Sequence, residues 1–267
     1  MLDFHAHESD EKLRQECDEL TEILHKNQRG EWRKRYVQKD AGNLVIAARA
    51  AGVTHLAFIR HANSAPLPSS KPDQPHGWGV DDQTRTLTNR GQAQCVAARS
   101  AWYGACPTRP TIVCSPAMRA TETGLFMSIE EGDAMVKPKC LTISGLHPAS
   151  LKDTTACEAL FARFGYGPLR PYLDADGGEV AFGRYAQAVC CELAIKFRLN
   201  PIQAEQGTYV AIFGHAVWLN SMAYAVATAA GLDEGELDTL LDLELEEAEA
   251  ILVPLYGGEV QKMYVPL

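Results

Sequence analysis

"FIRHANSAP", Phe58 to Pro66, decides how this chain is read. Leu56, Phe58 and Ile59 make the approach apolar, and then an arginine and a histidine stand side by side before the chain turns polar. A buried strand ending on Arg60-His61 holds both side chains at the carboxyl edge of a sheet, where open α/β folds place their ligands. A lone Arg-His pair more often just faces water. The decision therefore falls to the other strand ends.

Two of them carry similar groups. "PTIVCS" is an apolar run that leads within five residues to Arg119, on the first turn of the helix expected over "PAMRATETGLFMS". "GTYVAIFGH" is a very apolar strand that ends on His215, at the start of the helix "AVWLNSMAYAVATAAG", which is apolar on almost every side and hence buried. Parallel strands bring their carboxyl ends to one edge. Two arginines, two histidines and two helix N-termini gathered there would form a pocket for a tetrahedral dianion, with guanidinium forks matching phosphate oxygens and a histidine available as nucleophile.

Between these strands the pattern alternates. "TNRGQAQCVAARSAW" reads as a helix capped by Thr88, with Ala93, Val96, Ala97 and Ala101 on one face. "KPKCLTIS" is a third strand candidate. "LKDTTACEALFARFG" is a helix stopped by Gly165, and "EVAFGRYAQAVCCELAIKF" is a long helix. Two closing strands are expected around Ala248–Val253 and Val260–Val265. Strands alternating with helices predict an α/β fold: a three-layer α/β/α domain over residues 51–267 with a mostly parallel central sheet. Residues 1–50 read as an N-terminal helical extension, in which Leu13, Cys17, Leu20 and Leu24 make an amphipathic stripe. It is expected to pack on the main domain or on a second copy, as a homodimer.

Composition narrows the function classes. The 267 residues carry a net charge of −9, so the surface repels nucleic acid and anionic membranes, and a bound anion needs a local cluster of positive charge. "RGEWRKRYVQK" mixes basic and aromatic residues, yet one short cluster in an acidic protein reads as a solvated helix face. The eight cysteines contain no CxxC pair and several sit in apolar runs, which points to buried reduced thiols rather than zinc or disulfides. No run approaches the ~18 apolar residues of a membrane helix, and the polar, acidic start is unlike a signal peptide. A cytoplasmic location is expected, a removed organelle-targeting peptide being compatible with it.

The quoted segments, taken in order, resemble the histidine phosphatase superfamily, with its phosphoglycerate mutase-like fold. An apolar strand ending Arg-His-Gly matches "AFIRHA" with Ala62 in place of glycine. The leucine-threonine-then-glycine element matches "LTNRGQAQ", Ser-Pro-x-x-Arg-Ala-x-x-Thr matches "SPAMRATET", and the late glycine-histidine matches "IFGHAVWL". The order and spacing hold over roughly residues 55–255. The resemblance implies a metal-independent phosphatase with no cofactor. In it His61 takes the phosphoryl group as a phosphohistidine, and Arg60 and Arg119 clamp the oxygens. His215 steadies the transition-state charge, and Asn63 joins the substrate-binding residues.

The chain also departs from that pattern. Many members carry a Glu in a Leu-x-Glu context as leaving-group acid, and here "ISGLHPAS" offers only His147. Ala216 and Val217 follow the second histidine where phytase-like members have Asp. The pattern is therefore closest to the short phosphohistidine phosphatase-like subgroup. Candidate surrogate acids are Asp82 (with its neighbour Asp81), His147 and Glu179, the last reading equally as a carboxylate favoured by a helix N-terminus. His76, in "PSSKPDQPHGWG", reads equally as part of a loop over the pocket or a plain surface loop; His5 and His7 read as exposed, His55 as structural. The expected function is hydrolysis of a phosphomonoester or of phosphohistidine on a protein. The alternative is a phosphate-binding pseudoenzyme of the same fold, and a mutase is weaker because it needs the missing acid.

Overall fold

The computed structural model describes residues 39–66, 80–105, 110–128, 140–150, 155–199 and 208–264. The chain divides into Met1–Val37 and Gln38–Leu267, and all described residues belong to the second unit. The amphipathic stripe from Leu13 to Leu24, the basic cluster around Trp32 and the loop carrying His76 lie outside the described residues. Residues 39–50, which the sequence assigned to the extension, form helix α1 (Lys39–Ala50) of the main unit, laid against helices α7 (Gly178–Leu199) and α8 (Ala216–Ala230).

Six strands make the central sheet: β1 (Val53–Arg60), β2 (Thr111–Cys114), β3 (Cys140–Thr142), β4 (Thr208–Gly214), β5 (Ala250–Pro254) and β6 (Gln261–Met263). Their order is β3-β2-β4-β1-β5-β6. The first four in that order pair in parallel, while β5 and β6 are added antiparallel. The mostly parallel sheet is thus the observed one, closed at one side by a hairpin-like pair. Strands β1, β2, β4 and β5 are buried along most of their length, as runs of Val, Ile, Leu, Phe and Ala covered on both faces should be.

Helices cover both faces. On one side α1, α7 and α8 pack together, with α8 against β1 and β5. Its residues from Ala216 to Val226 are all buried, so the prediction of an all-round apolar, interior helix holds. On the other side lie α3 (Asn89–Ala105) and α4 (Met118–Ser128), packed on Ala57, Ile59, Ile112, Cys114, Ala211 and Phe213 of the sheet.

The buried stripe of α3 differs from the expected one. Cys95, Ala98 and Trp102 face the core, while Ala93 and Ala101 are exposed and Val96 is 49% exposed. Trp102 is the largest apolar side chain of the helix's last turns and is 1% exposed; burying it turns the small alanines outward. The Thr88 cap is present: its Oγ1 accepts from Gly91 N at 3.1 Å. Gly165 ends α5 (Thr155–Phe164) in the left-handed conformation at φ 66°. Cys95, Cys114, Cys157 and Cys190 are buried, as the apolar context of these thiols implied. Among the described residues no helix is long and apolar enough to cross a membrane.

Candidate active site

Register delivers the site. Arg60 of β1 lies opposite Gly214 of β4, and Cys114 of β2 lies opposite Phe213. The three parallel strands therefore stop within a residue of one another, and the residues that follow each emerge at one edge. Their first backbone bonds continue the ladder: His61 N donates to Gly214 O at 3.0 Å and Ser115 N to Phe213 O at 2.9 Å. A cavity of about 250 Å³ opens there, lined among others by Arg60, His61, Arg119 and His215.

His61 sits with its tautomer fixed. Arg119 Nε–H donates to its Nε2 at 3.0 Å, so Nε2 carries the lone pair and the proton resides on Nδ1. Nδ1 then donates to Ala62 O at 2.8 Å. Burial depresses the pKa of His61 well below 6.5, helped by the positive charge of Arg119 and then of Arg60 and Arg85; the Ala62 carbonyl opposes this without reversing it. The imidazole is neutral at physiological pH.

His215 meets the same guanidinium from the other side. Its Nδ1 accepts from Arg119 Nη2 at 3.2 Å, and its Nε2–H donates to Ser115 Oγ at 3.0 Å. Burial, then the charge of Arg119, holds its pKa well below 6.5. The His61 and His215 rings meet edge-on with centroids 5.2 Å apart.

Arg119 is the hub, with its side chain 4% exposed. Beyond the two histidines it donates to the Asp82 carboxylate at 2.8 Å and to the Asp82 carbonyl. Asp82 also accepts from Arg85 Nη1 at 2.9 Å and from His147 Nε2 at 3.1 Å. Burial alone would raise the Asp82 carboxyl, but the hydrogen bond from His147 and the charge and bonds of Arg119 and Arg85 win and hold it well below the usual carboxylate range. Three side-chain donors hold it as a carboxylate.

Arg60 donates to Leu245 O at 2.9 Å and lies over the Tyr166 ring at 5.0 Å. Arg60 lines the cavity, and its Nε is buried with no hydrogen-bond partner among the described residues.

The turn after His61 is pinned by the other motif residues. Ala62 N donates to Thr123 Oγ1 at 3.0 Å, and Asn63 N to Gln94 Oε1 at 2.8 Å. A Cβ on Gly91 would stand 2.0 Å from Asn63 O, so only glycine lets α3 approach this close. The elements "LTNRGQAQ" and "SPAMRATET" thus act as scaffolding for the His61 turn as much as through Arg119 itself.

The structure brings His61, Arg60, Arg119, His215, Asn63 and Asp82 to the cavity wall. His147 stands behind the wall, 1% exposed, with Nε2–H on Asp82 and Nδ1 accepting from Ala149 N. Both its nitrogens are taken, so it positions Asp82 and has no free proton to offer the cavity. Glu179, in the first turn of α7, is not among the described residues that line the cavity. The side chain of Asp81 lies outside the described residues. Sequence reasoning missed Arg85, Glu247 and an aromatic wall of Phe161, Tyr166 and Trp218, all of which line the cavity. Only Arg85 carried a signal, three residues after Asp82 on the same short turn. Among the described residues no group of three His, Cys, Asp or Glu is suited to a metal ion.

A neutral histidine with a directed lone pair, two arginines and a second histidine stand together at the carboxyl edge of a mostly parallel sheet, an arrangement able to hold a tetrahedral oxyanion beside a nucleophilic nitrogen. No protein-family model and no curated protein matches this sequence. Solved structures similar to this chain include the protein histidine phosphatase SixA complexed with tungstate, at 14% identity and a TM-score of 0.41 over 79% of this chain and 94% of that one. Another is mycobacterial glucosyl-3-phosphoglycerate phosphatase, at 17% identity and 0.43 over 79% and 98%. A third is phosphoserine phosphatase from Entamoeba histolytica in complex with 3-phosphoglyceric acid, at 18% identity and 0.41 over 75% and 90%.

Proposed function

We propose that the chain is a phosphatase that cleaves a phosphomonoester or a phosphohistidine by way of a phosphohistidine on His61. The observation that carries this reading is the state of His61. Its Nδ1–H is committed to Ala62 O, and its Nε2 lone pair is held by Arg119, a donor that an incoming oxyanion draws away. Arg119 and the orphan Arg60 Nε then face the oxygens while Nε2 attacks phosphorus. The second histidine, His215, faces the same group.

The leaving group is where chemistry narrows the substrate. An alkoxide needs a proton in the transition state, a contribution of typically ~10²–10⁴-fold. Asp82 is held as a carboxylate and His147 has no free N–H, so neither offers that proton. A phenolate or an imidazole leaves with much less help, and the Phe161, Tyr166 and Trp218 wall suits a ring. Aryl phosphates or phosphohistidine are therefore the substrates expected to turn over faster than alkyl phosphates.

The test is rapid quenching with a labelled aryl phosphate at alkaline pH, which traps an acid-labile phosphoenzyme. His61→Ala is expected to abolish both the trapped species and turnover in a protein that still folds; turnover by that variant would refute the mechanism. Asp82, held as a carboxylate by three donors, also favours a second reading, a phosphate-binding protein without turnover. That protein would bind vanadate tightly and trap no phosphoenzyme.

A further inference from the structure

The acidic run "LELEEAEA", residues 243–250, looks like a solvated loop, yet it crosses the end of the strand that carries Arg60. The cause is β5. Because β5 runs antiparallel to β1, with Ala250 opposite Ile59, the residues leading into β5 must enter at the edge where β1 ends. The crossing is bolted to Arg60. Arg60 N donates to Glu249 O, Ala248 N donates to Arg60 O, and the Arg60 guanidinium holds Leu245 O. To make this turn Ala248 takes φ 62°, the one non-glycine residue with positive φ among the described residues. A non-glycine residue in that region is strained, and such strain clusters at functional sites.

What the strained turn delivers is Glu247, at the cavity wall. Its Oε1 accepts from Asn63 Nδ2 at 3.0 Å and its Oε2 from Gln94 Nε2 at 3.2 Å. Both holders belong to the His61 turn: Asn63 is two residues on from His61, and Gln94 grips the Asn63 N–H as well. Asp82 and Glu247 are the two carboxylates among the described lining residues, and they differ in capacity. Asp82 takes three side-chain donors, two of them from cationic arginines, whereas Glu247 takes only two neutral amides, one on each oxygen, among the described residues.

The geometry points to Glu247 as the base that activates water in the second half of the reaction; this rests on the phosphohistidine reading above. In the first step the bond from His61 Nε2 to phosphorus forms and the bond from phosphorus to the leaving group breaks, the leaving group keeping that electron pair. In the second step a water oxygen bonds to phosphorus on the opposite side, Glu247 takes the water proton, and the phosphorus–Nε2 bond breaks to restore the lone pair of His61. Glu247 then gives its proton to solvent or to product phosphate.

The two steps separate in time with p-nitrophenyl phosphate, whose leaving group needs no acid. E247Q keeps the amide contacts at one oxygen and removes the base. The expected result is a burst of one nitrophenolate per site at a rate within threefold of wild type. Steady turnover then slows by ~10²–10⁴-fold, and phosphohistidine accumulates. E247D, one methylene shorter, is expected to recover part of the second step. A burst and steady rate that fall together would make Glu247 structural and overturn the inference, as would an intact steady rate. Turnover surviving His61→Ala would overturn the phosphohistidine reading first and this inference with it.

Discussion

Arg119→Ala tests the hub of the site. The guanidinium spans both histidines and Asp82, and it faces the place the oxyanion would take. A charge-assisted hydrogen bond contributes about 1.5–3 kcal/mol. Losing two N–H donors to the oxyanion therefore costs on the order of 3 kcal/mol or more, a weakening of at least about a hundredfold in vanadate or phosphate affinity. Stability falls by a separate route. The side chain is 4% exposed and its removal leaves Asp82, itself buried, short of its closest cation. Stranding one member of a buried pair costs about 3–5 kcal/mol. Arg85 and His147 remain on the carboxylate, so the low end applies, a fall of roughly 6–12 °C in Tm for a chain of this size. Arg119→Lys keeps the charge but cannot bridge three partners, and should fall between wild type and alanine. The assay is vanadate titration followed by calorimetry or fluorescence, at a temperature where circular dichroism shows both variants folded. A folded Arg119→Ala protein that binds vanadate within about threefold of wild type would refute the reasoning, because the strand ends would then not form the anion pocket.

Other expectations follow from neighbouring features. His61 and His215 are kept neutral by the fold, whereas an unfolded chain takes up their protons near ~6.5. The unfolded state thus binds more protons below that pH, so stability rises with pH up to about 6.5 and falls in acid; urea melts between pH 5 and 8 should show this slope, and His61→Ala should flatten it. Gly91→Ala would force a Cβ to 2.0 Å from Asn63 O, costing roughly 1–3 kcal/mol as overpacking and lowering kcat through the displaced His61 turn. Gly42→Ala, inside α1 with nothing within 4 Å of the added Cβ, should instead stabilise by roughly 0.5–1 kcal/mol and leave activity unchanged. A chelator in the p-nitrophenyl phosphate assay should have no effect, and strict dependence on added magnesium or zinc would count against a charge supply made of arginines.

The parallel part of the fold was legible because β1, β2 and β4 are unbroken apolar runs, each ending in a group that has no reason to be buried unless it is used. The meeting of His61, Arg60, Arg119 and His215 at one sheet edge was legible for the same reason. The face of α3 was not, because counting alanines and a valine at helical spacing gave no weight to the single tryptophan whose burial sets the rotation. Asp82 was legible as a candidate, but its role was not. A proton donor and a carboxylate holding Arg119 look alike until the donors around them are seen. Glu247 was invisible for a topological reason. Nothing local in an acidic run tells that the strand after it will pair antiparallel with residues almost two hundred positions earlier.

That late pairing has a bearing on synthesis. A chain emerging from the ribosome N-terminus first carries Arg60-His61 and later Arg119 and His215, but the turn that clamps the Arg60 backbone follows all four in sequence. Until β5 inserts beside β1, the would-be nucleophile strand has one open edge and the Arg60 guanidinium has no Leu245 carbonyl to rest on. The orientation of Arg60 is thereby tied to the arrival of β5. A chain cut before Leu245 keeps Arg60, His61, Arg119 and His215 yet lacks the carbonyls of Leu245 and Glu249 that hold Arg60, so on the proposed mechanism phosphoenzyme formation by such truncations would report whether the sheet has closed.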